Sequence, residues 1–289
     1  MRILLIGRTG QLGGDLLRNN TGHEIFAPER AALDVINPDQ IRAALREYGP
    51  ALVINCAAFH NVPLCEQQPD QAFRVNCVAM RDLAIACREA DTRLVTFSSD
   101  YVFGSDRREP HVEKARPHPL QIYGISRLAG EHAVVSAAPE HGIVIRTCGL
   151  YGRSGAASKG GNFVDGRVAD ALAGKTIEMA CEQVVSPTST NDLSRAVFDL
   201  IVHPGAGPGI YHLVNSGACS WYEFTCEIVR RIGATAKVVP VDRGGQTQGM
   251  RRPLFSALAN VRASSLGIAL RPWQDAVAAY LLAKYPRAA

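Results

Sequence analysis

Arg2-Ile3-Leu4-Leu5-Ile6-Gly7-Arg8-Thr9-Gly10-Gln11-Leu12-Gly13 is the stretch on which the fold turns. An apolar, β-rich run stops at a glycine, and a helical pattern starts at Gln11-Leu12, so strand, tight turn and helix follow without a linker. Gly7, Gly10 and Gly13 sit at that handover. There backbone N–H groups and a helix N-terminus can meet a pyrophosphate, and side chains would block the approach. Glycines also serve tight βα turns for conformational reasons alone. It is the position at the head of a β-α series that makes this turn read as a dinucleotide site.

That series continues. Apolar runs predict strands near residues 23–27, 51–55, 93–97 and 142–146, separated by helices near 38–48, 69–90 and 119–138. ALVIN, RLVTF and GIVIR are almost unbroken apolar runs, as suits strands buried on both faces. The expectation is α/β: a Rossmann-type doubly wound parallel sheet with a smaller C-terminal α/β part. Residues 1–150, joined by about 187–215, form the expected dinucleotide-binding domain. Residues 151–186 and 216–289 form the expected substrate-binding part, with helices near 162–173, 190–202, 221–232 and 272–285 and a strand near 210–214. The Gly/Ser/Lys-rich stretch 152–161 reads as a mobile loop.

The chain has 289 residues, 47% hydrophobic and 20% charged, with a formal net charge of +4. Lys and Arg are scattered rather than striped, which argues against nucleic acid as a partner. No window reaches the ~18 apolar residues of a membrane span, and the N-terminus runs straight into a strand; a cytoplasmic protein is expected. The eight cysteines, at 56, 65, 77, 87, 148, 181, 219 and 226, make no CxxC pair and no Cys/His ligand spacing. Reduced, buried thiols are expected, and no metal.

Tyr123 and Arg127 are four residues apart on a predicted helix and therefore share a face, and Ser99 ends the preceding strand. A hydroxyl, a tyrosine and a cation in that order resemble the Ser/Thr, Tyr, Lys set of short-chain dehydrogenases, which implies the tyrosine as general acid or base at the carbonyl, the hydroxyl on the substrate oxygen, and the cation on the nicotinamide ribose, lowering the tyrosine pKa. At the end of the second strand, Glu29 suits a ribose diol and Arg30 a 2′-phosphate. NADP and NAD both remain open, with NADPH favoured.

More specific motifs accompany these residues: Leu33-Asp34-Val35 with Pro38, Asn55-Cys56-Ala57-Ala58, Ser98-Ser99-Asp100-Tyr101-Val102-Phe103, Leu128-Ala129-Gly130-Glu131, Asn162-Phe163-Val164 and Ser186-Pro187-Thr188. Together they resemble the dTDP-4-dehydrorhamnose reductase family of extended short-chain dehydrogenases, from residue 1 to about 280. The resemblance implies a nucleotide-sugar substrate and a homodimer. It implies cofactor contacts at Gly7, Gly10, Gln11, Leu12, Gly13, Asp34, Val35, Ala57, Ala58 and Phe59, besides Tyr123 and Arg127. On the substrate side it points to Ser99, Asp100, Gly149, Asn162 and Arg252.

The chain departs from the family at the family's YxxxK lysine, here Arg127. It departs again at Gly149, where the family carries a tryptophan beside the sugar, at Pro63-Leu64, and at Leu254-Phe255-Ser256 after Arg251-Arg252-Pro253. Arginine keeps the charge but not the compact shape of an ammonium. These departures motivate two rivals to a nucleotide-sugar reductase: a cofactor-binding regulatory or partner subunit, and an epimerase or dehydratase on the same scaffold. Arg251 and Arg252 together could clamp a diphosphate. His60 reads as a satisfied loop histidine, Trp221 and Tyr222 as core or interface residues.

Overall fold

The computed structural model describes residues 1–104, 108–154, 161–247 and 249–286. The first half alternates strands and helices: β1 (Arg2–Ile6), α1 (Gln11–Arg18), β2 (Glu24–Phe26), α2 (Pro38–Tyr48), β3 (Leu52–Asn55), a short α3 (Val62–Gln67) and α4 (Pro69–Phe73). A π-helical turn, Arg74–Val78, joins α4 to α5 (Ala79–Glu89), and then come β4 (Arg93–Ser99), α6 (Ile122–Ala137) and β5 (Gly142–Thr147). The second half holds β6 (Leu150–Tyr151), α7 (Phe163–Leu172), β7 (Ile177–Ala180), β8 (Val184–Val185), β9 (Thr188–Ser189), α8 (Thr190–Val202) and β10 (Gly209–His212). It ends with β11 (Cys219–Ser220), α9 (Trp221–Arg231), β12 (Val238–Val241), the pair β13 (Gln246–Thr247) and β14 (Met250–Arg251), α10 (Val261–Ser265) and α11 (Trp273–Lys284).

Six strands form one parallel sheet in the order β10-β5-β4-β3-β1-β2. Successive residues of β1 go to opposite faces, as the pleat requires. Ile3 and Leu5 pack with Leu12 and Leu16 of α1 and Val197 and Leu200 of α8, while Leu4 and Ile6 pack with Leu45 of α2, Leu83 of α5 and Val134 of α6. Each such side chain taken out of water contributes ~1.5–3 kcal/mol. The chain runs outward from β1 to β2 and then returns to β3 on the other side of β1. This reversal opens a crevice at the carboxyl ends of β1 and β3.

A separate apolar cluster holds the C-terminal elements together: Val164 and Val168 of α7, Ile177, Phe224 and Ile228 of α9, and Val277 of α11. It is bordered by the parallel pair β7-β12. No helix among the described residues is long and apolar enough to cross a membrane.

The strands lie within a few residues of their predicted places, but the helix expected over 69–90 is not regular. Its middle turn is π-helical, which shifts the helical phase and aims Asn76 at the neighbouring loop. Apolar periodicity passes through such a turn almost unmarked. The helix expected from residue 119 starts at Ile122. Residues 155–160 of the stretch expected to be mobile lie outside the described residues. Its near end is anchored, with Arg18 donating to Ser154 Oγ at 3.2 Å and Asn162 to the Gly152 carbonyl at 2.8 Å.

Candidate active site

The glycine turn lies in the crevice between β1 and β3. Gly7 has φ +89°, and a Cβ there would stand 3.0 Å from the Ala57 nitrogen. A Cβ on Gly13 would stand 2.2 Å from the Gly7 carbonyl oxygen, so the turn and α1 close together only without side chains. At Gly10, the N-cap of α1, a Cβ would meet nothing nearer than 3.4 Å, and no acidic residue occupies the first turn of the helix. No carboxylate in the first turn therefore opposes an anion at these N–H groups. Gln11 leans back toward the Leu150 carbonyl (3.5 Å), and Leu12 is buried on the sheet.

Beside β2, a groove of ≈ 650 Å³ is lined by Arg30, Asp34, Ile36, Asn37, Gln40 and Arg74. Asp34 accepts from Arg30 Nε at 3.1 Å and from the Ile36 N–H at 3.2 Å, and its own N–H donates to Gln40 at 2.8 Å. The Arg30–Asp34 pair is exposed and adds little stability. Val35 is buried beneath the loop. Ala57 and Phe59 are set by two asparagines: Asn55 Oδ1 accepts from the Ala57 N–H (3.0 Å), and Asn76 bonds both the N–H and the carbonyl of Phe59 (2.9 Å each). Between them Ala58 offers its carbonyl to His60 Nδ1 at 3.4 Å.

Tyr123 and Arg127 stand on one face of α6, as predicted, next to Ser99 at the end of β4. Desolvation raises the Tyr123 pKa above its ordinary value, while the Arg127 cation and the Ser99 hydroxyl pull it down. Burial wins. Arg127 itself is only 5% exposed, and Nη1 makes a long bond, 3.4 Å, to Asn76 Oδ1. Among the described residues no carboxylate pairs with it. A buried cation so poorly compensated is costly unless function retains it.

Ser99 donates to Asp100 Oδ1 at 2.9 Å. Asp100 is buried and also accepts from Cys148 Sγ (3.0 Å) and Ser256 Oγ (2.6 Å); desolvation nevertheless raises its pKa. The same burial and the neighbouring Asp100 push the Cys148 thiol far up. Arg252 donates to the Tyr101 hydroxyl at 2.7 Å, and the Tyr101 ring meets that of Tyr123 edge-on at 5.8 Å. Arg251 is exposed, so the two arginines part company. Gly149 has φ +53°, and a Cβ there would stand 3.2 Å from both Trp221 and Pro187. Trp221 is half-buried and packs on Phe163 with ring centroids 4.6 Å apart. Asn162 caps α7 and gives its amide to Gly152, Asp165 and Tyr280.

Four residues that the sequence reading passed over therefore belong to this cluster: Asn76, Tyr101, Cys148 and Ser256. Tyr101 lies within the SSDYVF motif and was the most findable. The others are ordinary polar residues in elements far apart in the chain. Unpartnered buried polar atoms also gather here, on Gln11, Gln121, Arg127, Thr147 and Arg252.

A doubly wound parallel sheet, a glycine turn at its reversal point, and a serine, tyrosine and cation at the adjoining strand end define an extended short-chain dehydrogenase/reductase. Within that class the chain belongs to the RmlD substrate binding domain family, whose model matches residues 1–285. It is 34% identical over 283 residues to a dTDP-4-dehydrorhamnose reductase of Streptomyces griseus, covering 96% of this chain and 91% of the relative. Among solved structures, a dTDP-4-dehydrorhamnose reductase ortholog from Clostridium acetobutylicum superposes with a TM-score of 0.89 at 32% identity, covering 97% of this chain and 98% of the other. The Bacillus anthracis dTDP-4-dehydrorhamnose reductase, solved in complex with NADP, gives 0.91 at 30% identity and covers 98% and 99%.

Proposed function

We propose that the chain is an NAD(P)H-dependent reductase of a nucleotide-linked 4-keto-6-deoxy sugar. The observation that carries this reading is the convergence of Ser99, Tyr123 and a buried, under-compensated Arg127 beside the open glycine turn. The dinucleotide supplies the hydride when bound. Gly7, Gly10 and Gly13 admit its pyrophosphate to the N-terminus of α1, with Gln11, Leu12, Ala57, Ala58 and Phe59 along its length and Asp34 and Val35 at the adenosine end. Arg30 and Arg74 line the groove there and suit a 2′-phosphate, which favours NADPH over NADH.

Tyr123 donates the proton to the ketone oxygen. Its raised pKa keeps it protonated at neutral pH, as a proton donor requires. Ser99 holds the same oxygen after its hydroxyl rotates away from Asp100, a movement about one bond. Arg127 faces the nicotinamide ribose in the place of a lysine and stabilises the tyrosinate left after transfer. Asp100, Gly149, Asn162 and Arg252 border the sugar nucleotide, Asn162 by fixing the start of α7. Residues 1–150 with about 187–215 are the cofactor-binding part, and 151–186 with 216–289 the substrate-binding part.

The test follows absorbance of NADPH and NADH against a panel of nucleotide-linked 4-keto-6-deoxy sugars. Cofactor oxidation with at least one member is expected; none at high protein concentration refutes the reading. Arg127→Lys is expected to lower turnover if arginine is the working cation. A large gain would instead mark a decayed reductase.

A further inference from the structure

Arg127 borders a small cavity. Its volume, ≈ 10 Å³ for the centre of a water-sized sphere, is just enough for one water molecule. Asn76, Thr96, Ser98, Arg127, Glu131 and Val144 are among its walls. Arg127 Nε is a buried donor without a partner, and leaving such a charged donor unsatisfied is unfavourable. The atom is shielded from solvent, so a ligand in the open cleft does not reach it in this arrangement. Glu131, one helical turn after Arg127, also lines the cavity. Its carboxylate takes both Arg146 nitrogens (Nε at 2.9 Å, Nη2 at 2.6 Å) and the Ser98 hydroxyl. A carboxylate has about four lone-pair sites, so these three donors leave one acceptor position.

The geometry points to a bound water in this cavity that accepts from Arg127 Nε and donates to Glu131, making Glu131 a positioning residue for the cation. The water fills three needs together. It satisfies the orphaned donor, couples the Glu131 carboxylate to a cation whose one hydrogen bond among the described residues is the 3.4 Å bond to Asn76, and fixes the plane of the guanidinium. A lysine has a methylene where Arg127 has Nε, so this water belongs to the arginine form of the site. The pair Glu131–Arg146 is itself buried at both ends and ties α6 to β5, so through the water Arg127 is held against the sheet as well as along its helix.

The inference rests on the reading of Arg127 as the ribose-facing cation, and its test needs no sugar substrate. A high-resolution crystal structure of the intact protein is expected to show density within about 3.2 Å of Arg127 Nε and of a Glu131 oxygen. An empty cavity overturns the proposal. Val144→Ile places a methylene in the same space without touching a polar group. It is expected to leave the melting temperature unchanged or higher while weakening NADPH binding about tenfold in a fluorescence titration, the scale of one charge-assisted hydrogen bond. Unchanged NADPH affinity in a folded Val144→Ile protein overturns the positioning role. Should Val144→Ile not fold, Val144→Leu, which fills the same space, is read by the same titration and the same crystallographic criterion. Water present with no sugar reduced leaves this inference standing and the proposed function refuted; sugar reduced with the cavity empty does the reverse.

Discussion

At the glycine turn the proposed cofactor side of the cleft presents main chain, whereas the proposed sugar side presents side chains. On the first, Gly7, Gly10 and Gly13 come from a single turn, and Ala57 and Phe59 from one loop held by Asn55 and Asn76. On the second, Asp100, Cys148, Ser256 and Arg252 arrive from the end of β4, the end of β5 and the segment after β14. A surface of backbone N–H groups tolerates almost any neighbouring side chain and rejects added atoms at the turn itself. A surface of side chains can be rebuilt one position at a time. The departures from the family pattern at Gly149, Pro63-Leu64 and Leu254-Phe255-Ser256 lie off the glycine turn, consistent with that difference.

The comparison can be broken most directly at the proposed proton donor. Tyr123→Phe should lower kcat by about 10²–10⁴-fold while NADPH affinity stays within a few-fold, measured by stopped-flow reduction and fluorescence titration. A variant that still turns over would move the chemistry elsewhere. Gly13→Ala tests the backbone wall. The added Cβ meets a carbonyl oxygen at 2.2 Å, and a loss of ~1–3 kcal/mol of stability in urea unfolding is expected, with weaker NADPH binding in whatever remains folded.

Arg252→Ala tests the side-chain wall. Loss of the 2.7 Å bond to Tyr101 should raise KM for the sugar nucleotide about tenfold and leave the NADPH Kd unchanged. Equal effects on both ligands would erase the distinction between the two sides. The smallest effect concerns pH. In the proposed reaction, reduction needs the protonated Tyr123, so its rate holds below the tyrosine pKa and falls above it. Because burial outweighs the Arg127 charge, the alkaline limb of a single-turnover pH profile should lie above pH ~10, the value of a free tyrosine. Arg127→Gln removes a downward influence and should move the limb further up. An alkaline limb near neutrality would show that the cation prevails over burial.

Local chemistry made much of the fold legible. Apolar runs of strand length, Asn37 capping α2 with Pro38 behind it and Gly49 in the left-handed region closing it, and the glycine turn each act over a few residues, so their sequence states their structure. The short α3, the π-helical turn and the β7-β12 pair were not legible. α3 is a brief stretch at the edge of the site, the π turn is an interruption within an otherwise helical pattern, and β7 and β12 pair across residues 181–237.

The site divides along the same line. Spacing alone put Tyr123 and Arg127 on one helical face, and the motif put Ser99 at a strand end. How Arg127 is held was decided by packing: Gly130 lets the π turn approach until its missing Cβ would lie 2.0 Å from the Asn76 carbonyl, and Asn76 then reaches Phe59, Ser126 and Arg127 together. Sequence by itself determined the β-α order, the glycine turn and the placing of Tyr123 and Arg127 on one helical face, because each depends on neighbours along the chain. Tertiary structure alone decided the surroundings of Arg127, the triple acceptor role of Asp100 and the placing of Trp221 against Gly149, because each depends on atoms that only folding brings within bonding distance.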